Sequence, residues 1–186
     1  MSTRDRLLSL VQRASGAMEQ DKRTRSALRR AAHATDALGF EPVVAFVAAL
    51  KRIPAFEHLD DGVGEGGMVL MAQGNVLING RIRGAPGPVP GLLPKLFGER
   101  IGGERRRLSE LRFQRLLRAH DIDDRMRQLR RAIALLDARI HPMAVLDAWL
   151  DLHSVQGRRR FANAYFGTLE TPEYTSASET STADSA

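Results

Sequence analysis

At 186 residues the chain can bury one good-sized core or two small helical bundles, but not two large domains. It has no cysteine, which excludes disulfides and thiolate metal sites, and no apolar run long enough to span a bilayer. Twenty-eight basic residues stand against 22 acidic ones, a formal charge of +6, and a basic body implies an anionic partner, most commonly nucleic acid. The opening MSTRDRLLSL carries charges where a signal peptide needs its apolar stretch. The expectation is a soluble, cytoplasmic protein with no membrane partner.

In chain order, a first helix is expected over about Thr3 to Gly16, with Leu7, Leu8 and Val11 inward. A second, about Asp21 to Ala34, displays Arg23, Arg25, Arg29 and Arg30. Glu41-Pro42 opens a third, since proline is favoured in a first turn, and this helix is apolar nearly all round, so it should sit in the core. Pro54 and the glycines from Gly62 to Gly67 mark a flexible loop. Met68 to Asn79 reads as helix, with Gly74 a tolerated weak point, because its surroundings are helical. A hairpin turning at Gly74-Asn75 is the alternative. Gly80 to Gly91 is a proline- and glycine-rich connector between two halves. A short helix follows from Leu92 to Phe97.

The stretch from Arg112 to Leu136, RFQRLLRAHDIDDRMRQLRRAIALL, predicts two helices joined at one tight turn. Arg112, Arg115 and Arg118 fall at i, i+3 and i+6 and line one exposed stripe opposite Phe113, Leu116 and Leu117. On the second helix Met126, Leu129, Ile133 and Leu136 form a core-facing stripe. Arg127 and Arg131 project from its far side, and Arg130 lies on the edge. His141-Pro142 starts a helix carrying Met143, Leu146, Trp149 and Leu150. A last helix, Val155 to Leu169, has Phe161, Tyr165 and Phe166 on one side and Arg158, Arg159 and Arg160 at its start. The architecture is all-α: two small helical bundles packed together, 1–85 and 86–169, followed by a disordered acidic tail, 170–186.

Charge is unevenly placed. The tail from Glu170 holds four of the 22 acids (Glu170, Glu173, Glu179 and Asp184) and no Lys or Arg, leaving 18 acids against 28 basic residues in the body. Eleven arginines against six acids lie between Glu99 and Arg131. Only three basic residues are lysines (Lys22, Lys51, Lys95). Arginine suits bidentate phosphate contacts, and a GC-rich coding sequence gives the same bias.

Catalysis finds little support. The five histidines are scattered, and none shows a metal-ligand spacing. His120 with Asp121, Asp123 and Asp124 reads better as helix capping than as a metal site, Asp121 being the N-cap and Asp124 lying near the positive end of the helix. GVGEGG lacks the Lys-Ser/Thr of a phosphate loop. No cofactor and no small-molecule substrate are expected. Exposed arginines usually form just a solvated face, but Arg105, Arg106, Arg107, Arg112, Arg115 and Arg118 have only Glu104 and Glu110 as nearby helical partners. Like charges at i, i+3 repel by roughly a few tenths of a kcal/mol each, so the stripe favours an anion. Trp149 and Tyr165 fall on apolar faces, which argues against base stacking and leaves backbone contact.

Over RFQRLLRAHDIDDRMRQLRRAIALL, and on through GRRRFANAYFG (157–167), the chain resembles the CasB-type small subunit of the type I-E CRISPR surveillance complex, Cascade. That family shows F-x-R/Q-L/V-L/I-R-A, then a hydrophobic-x-x-LRRL helix, a proline- or tryptophan-bearing helix and a closing basic-aromatic helix. ALRRA (27–31) followed by Glu41-Pro42 fits the N-terminal half. The resemblance covers about Asp21 to Gly167, is loose from Ile53 to Gly91 and does not reach the tail. It implies a non-catalytic all-α protein, present as two head-to-tail copies beside the backbone subunits that hold the CRISPR RNA. The partners it implies are that RNA, the target DNA including its displaced strand, the backbone and large subunits, and a second copy of itself, in an R-loop that its basic surface stabilises. Carried over by position, the nucleic-acid-binding candidates are Arg29, Arg30, Arg112, Arg118, Arg130 and Arg131. Arg115 and Arg127 are added from the helical pattern. Basic residues near the last helix, where Arg158 to Arg160 stand, are also used in the family. The tail reads as inert, or as a nucleic-acid mimic that damps loose binding, with the inert reading preferred. The competing function is a free-standing DNA-binding regulator using 104–119 and 122–136 as a helix-turn-helix.

Overall fold

Ser2 begins the structured chain as an N-cap: its hydroxyl accepts from the Asp5 amide (3.1 Å) and the Asp5 carboxylate accepts from the Ser2 amide (2.9 Å), a reciprocal capping box. The computed structural model describes residues 2–77, 89–137 and 139–167. Among these, the helices are α1 (Thr3–Gln20), α2 (Lys22–Arg30), α3 (Glu41–Lys51), α4 (Asp61–Met71), α5 (Leu92–Gly98), α6 (Glu110–Arg118), α7 (Ile122–Ile133), α8 (Pro142–Asp151) and α9 (Val155–Phe166). Short 3-10 turns lie at Ala34–Ala37 and Pro54–Phe56. The described residues hold no strand beyond two isolated bridges, and the fold is all-α as expected. None of these helices is long and apolar enough to cross a membrane. The connector from Gly80 to Pro88, the boundary placed at 85–86 and the tail from Glu170 lie outside the described residues.

Helix α1 runs four residues past its expected end because Met18, fully buried, extends the stripe of Leu7, Leu10, Val11 and Ala14 by another turn. Helix α2 stops at Arg30, short of Ala34. There the Asp36 carboxylate accepts from the amides of Ala32 and His33 (2.8 and 2.9 Å) and starts the 3-10 turn instead. Helix α3 begins at Glu41-Pro42 as expected and buries Val43, Phe46 and Leu50, but Val44, Ala45 and Ala48 face solvent. An apolar circumference did not mean burial all round, because only one side of α3 has neighbours, chiefly α1 and α4.

The largest departure is at Gly62 to Gly67, which is not a loop but the first half of α4. Asp60 is its N-cap and accepts from the Gly62 amide (2.8 Å). Every residue from Val63 to Ala72 is buried, between α3, α7, α8 and the Ala34–Ala37 turn. Missing side chains make this possible. A β-carbon on Gly64 would stand 2.8 Å from Val47 Cγ2, and one on Gly66 would stand 2.8 Å from Trp149 Cζ2. The indole lies against the helix and donates from Nε1 to the Val63 carbonyl (2.6 Å). Glycine costs a helix about 1 kcal/mol per residue relative to alanine, and here dense packing on several sides offsets that.

Helix α4 ends at Met71, so the helix expected over Met68 to Asn79 holds only for its first four residues. The chain then turns through Gln73 and Gly74. Val76 makes a parallel bridge with Ile140, with Leu77 N donating to Ile140 O and Ile140 N to Asn75 O, each at 2.9 Å. Ile78 and Asn79 lie outside the described residues. Helix α6 starts at Glu110, so 104–109 are not part of it. Helix α7 ends at Ile133, three residues short of the expected 136; Met126, Leu129 and Ile133 are buried on it, and Leu136 is buried from the turn that follows. Tyr165 and Phe161 are buried with Trp149, Phe97 and Phe113, while Phe166, 44% exposed, packs edge-on against Phe113 and Tyr165 (centroids 5.7 and 4.9 Å) at the rim of the cluster.

The close approach at Gly66 is testable by urea unfolding. Gly66→Ala should lower stability by about 1–2 kcal/mol, because overpacking against the indole outweighs the propensity gain. Gly16→Ala, whose β-carbon meets nothing within 4 Å, should raise it by roughly 0.5–1 kcal/mol.

Candidate nucleic-acid interface

Phe113 sets the orientation of α6. Its ring stacks on Tyr165 with centroids 3.7 Å apart and planes within 7°, and the Tyr165 hydroxyl donates to the Leu108 carbonyl (2.7 Å). With Phe113 and Leu116 turned to the core, Arg112, Arg115 and Arg118 are exposed. Asp121 then caps α7, accepting from the Asp124 amide (2.6 Å). The hairpin angle is held by Arg125. This side chain is 8% exposed and donates from Nη2 to the Ala119 carbonyl at the end of α6 (2.7 Å). Burial depresses its pKa, as does nearby Arg158.

Between the two helices lies a groove of about 430 Å³. Arg112 and Arg115 line it from α6, Gln128 and Arg131 from α7, and Leu108 and Leu135 from the flanking chain. Among the described residues, no carboxylate lies within ion-pair distance of Arg112, Arg115, Arg118 or Arg131. The groove is an array of solvent-facing guanidinium groups on rigid helices, suited to bidentate contact with phosphate.

The other candidates divide. Arg29 and Arg30 are exposed in the last turn of α2. The Arg29 guanidinium lies against Gly74, 3.1 Å from where a β-carbon would stand. The neighbouring Asn75 amide donates to the carbonyls of Ile133 and Leu136 (3.4 and 3.3 Å) at the end of α7. Arg29 thus lies beside the turn that is tied to the C-terminal end of α7. Arg130 is the tie between these elements: its Nη2 donates to the Ala31 carbonyl (2.7 Å), and burial depresses its pKa. Arg127 is exposed and pairs with Asp124 at 3.6 Å. Of the basic run on α9, Arg158 donates to the Leu152 carbonyl (3.0 Å) and Arg160 to Asp151 (2.5 Å), which leaves Arg159 facing solvent.

Arg106 and Arg107, counted in the sequence among arginines short of partners, are structural. Arg106 donates to the carbonyls of Gly98 and Tyr165 (2.9 and 3.0 Å) and lies 5.0 Å from the Tyr165 ring centre. Arg107 bridges Glu99 and Asp137, both at 3.3 Å. The structural role of Arg125 was also missed, although a signal existed: it precedes Leu129 by four residues and so shares the buried side of α7. Asp123 serves as an acceptor from His33 Nδ1 and the Ala34 amide (both 2.8 Å). The Ala34 bond is the main cause of its lowered pKa. No cluster of metal-ligating side chains occurs among the described residues.

A second concavity, about 640 Å³, is lined by residues of α1, the segment 55–59, α8 and the start of α9. Two ion pairs line it. Arg4 pairs with Asp147 (3.5 Å) and Arg160 with Asp151. Burial pushes the Asp147 carboxyl up to about 6, against the pull of Arg4, and pushes His153 down to about 4, its Nδ1 facing the Trp149 carbonyl (2.8 Å).

Among comparisons with known proteins, the sequence model of the family described as CRISPR-associated protein Cse2 matches residues 24–166. No curated protein and no solved structure matches the chain. The match begins in α2 and ends with α9, so it contains the whole groove and excludes the tail.

Two outcomes follow from this geometry. Arg130→Ala should cost about 1–3 kcal/mol, because a buried carbonyl loses a charged partner, whereas Arg115→Ala should stay within about 0.5 kcal/mol, both read by urea unfolding. The Asp147 carboxyl, at about 6 when folded against 3.8, keeps a proton between those values that the unfolded chain has released. Its contribution to stability is therefore present below pH 3.8 and lost as pH rises through 6. His153, depressed from 6.5 to about 4, acts oppositely and favours folding as pH rises. Asp147→Asn should consequently gain stability relative to the parent between pH 4 and 6, and a pH-independent difference would contradict the assignment.

Proposed function

The chain belongs to the Cse2 family of CRISPR-associated proteins, the small subunits of type I-E Cascade, and on that premise we propose that it holds nucleic-acid backbone in the groove between α6 and α7. The observation that carries this reading is the placement of Arg112, Arg115 and Arg131 around one groove with no acidic partner among the described residues. The bound strands are the target DNA of an R-loop, including its displaced strand, beside the guide RNA. The neighbours in the assembly are the backbone and large subunits and a second copy of the chain. The role is non-catalytic.

The mechanism is electrostatic. Exchange of a DNA duplex for an RNA–DNA hybrid is nearly balanced, so contacts that hold the separated strands tip it. Phosphate contacts position a strand without reading it, which suits a subunit of a complex whose sequence choice resides in the guide. Trp149, Phe113, Phe161 and Tyr165 are buried and unavailable for stacking on bases. Arg118, Arg29, Arg30 and Arg127 extend the surface beyond the groove. Arg130 contributes by joining α2 to α7 rather than by being free.

Two measurements test this. The protein should co-purify with guide-RNA-bound backbone subunits when co-expressed with them, and failure to do so would contradict membership of the assembly. For the isolated protein on single-stranded DNA, six phosphate contacts give a log–log salt slope of roughly −4. Replacing Arg112, Arg115 and Arg131 by Gln should reduce its magnitude by about 2, equally for unrelated sequences. A parent slope near zero would refute backbone binding.

A further inference from the structure

Among the described residues no acid lines the groove, and the acids of the chain's last nineteen residues have no basic residue among them. Beyond Gly167, residues 168–186 contain Glu170, Glu173, Glu179 and Asp184 and no Lys or Arg. This segment lies past the end of the family match at residue 166. Where it leaves the folded body is defined by α9. Tyr165, two residues before Gly167, donates its hydroxyl to the Leu108 carbonyl, and Leu108 is a wall of the groove. Arg106 donates to the Tyr165 carbonyl, so the chain leaves α9 beside the segment Arg106 to Leu108, whose last residue lines the groove.

We propose that the acidic segment 168–186 docks on the arginines of the α6–α7 groove and competes there with nucleic acid. Reach is not limiting. Glu170 is three residues beyond Gly167, roughly 10 Å of extended chain, and Glu179 is twelve beyond, roughly 40 Å. Carboxylates match Arg112, Arg115 and Arg131 in charge and in bidentate geometry. Tethering supplies an effective concentration of the order of millimolar, which lets weak, screened pairs compete. A loosely bound phosphate chain must displace the segment, whereas a strand held in place by an assembled complex does so readily. The segment thereby suppresses loose binding by the free subunit. Competition rests on the nucleic-acid reading above; the docking itself does not.

The test uses the full chain in two arms. The chain has no cysteine, so Ser178→Cys gives one site for a nitroxide label. In about 10 mM salt, where screening is weak, amide resonances of Leu108 to Arg115 and Gln128 to Leu135 should broaden selectively, and the effect should vanish at about 0.5 M salt. Absent or uniform broadening, or broadening centred on Lys95 to Arg106, would overturn the docking. In the second arm, Glu170→Gln, Glu173→Gln, Glu179→Gln and Asp184→Asn are combined. That protein should bind a single-stranded DNA oligonucleotide roughly three- to tenfold more tightly than the parent at low salt, as expected when a competing occupant is removed. Equal affinities would overturn the competition. Selective broadening in a protein that binds no DNA in either form would leave the docking standing and refute the nucleic-acid reading instead.

Discussion

Trp149 can lie flat against α4 only because residue 66 has no side chain, and the position of α8 follows from that contact. The indole is fixed at its edge by the bond to the Val63 carbonyl, so α8 is held in register with α4 as well as against it. On the opposite side Gly64 admits Val47 and brings α3 equally close. Helix α4 is therefore the axis on which elements from both halves of the chain assemble, including α7, which bears half of the groove. The placement of the basic surface thus depends indirectly on three glycines, 64, 66 and 67, that touch none of it.

The arginines perform two kinds of work. One group is spent on backbone carbonyls: Arg125 on Ala119, Arg130 on Ala31, Arg106 on Gly98 and Tyr165, and Arg158 on Leu152. These fix where helices end and how they meet. The other group faces solvent around the groove. Repulsion among its members is reduced by position, since Arg115 and Arg118 lie in the last turn of α6, Arg131 in that of α7, and Arg29 and Arg30 in that of α2. There the negative end of the helix dipole stabilises each by about 0.3–1 kcal/mol, comparable to the like-charge penalty. An uncompensated stripe in sequence is thus closer to neutral in the fold, and remains free to take an anion.

The hairpin was legible because its periodicities are strong and local: Met126, Leu129, Ile133 and Leu136 admit one inward face, and Arg112, Arg115 and Arg118 follow as the outward one. Asp121 as a cap was legible for the same reason. Helix α4 was not, because its glycines are favoured by contacts with Val47 and Trp149, far away in sequence, while local propensity opposes them; the Asp60-Asp61 pair before them was the available start signal. Carbonyl partners were equally hidden. Nothing near Arg130 in sequence points to Ala31, and nothing near Arg106 points to Tyr165, so structural and exposed arginines looked alike.

On the proposed reading, free arginines on a rigid hairpin lengthen the life of an R-loop without choosing its sequence. The most direct measurement is the R-loop dissociation rate in a reconstituted complex in which this subunit carries Arg112→Gln, Arg115→Gln and Arg131→Gln. Dissociation should be at least tenfold faster, about 1.4 kcal/mol shared among three phosphate contacts, with assembly and guide binding intact. A fully assembled complex whose R-loop persists as long as the parent's would contradict it.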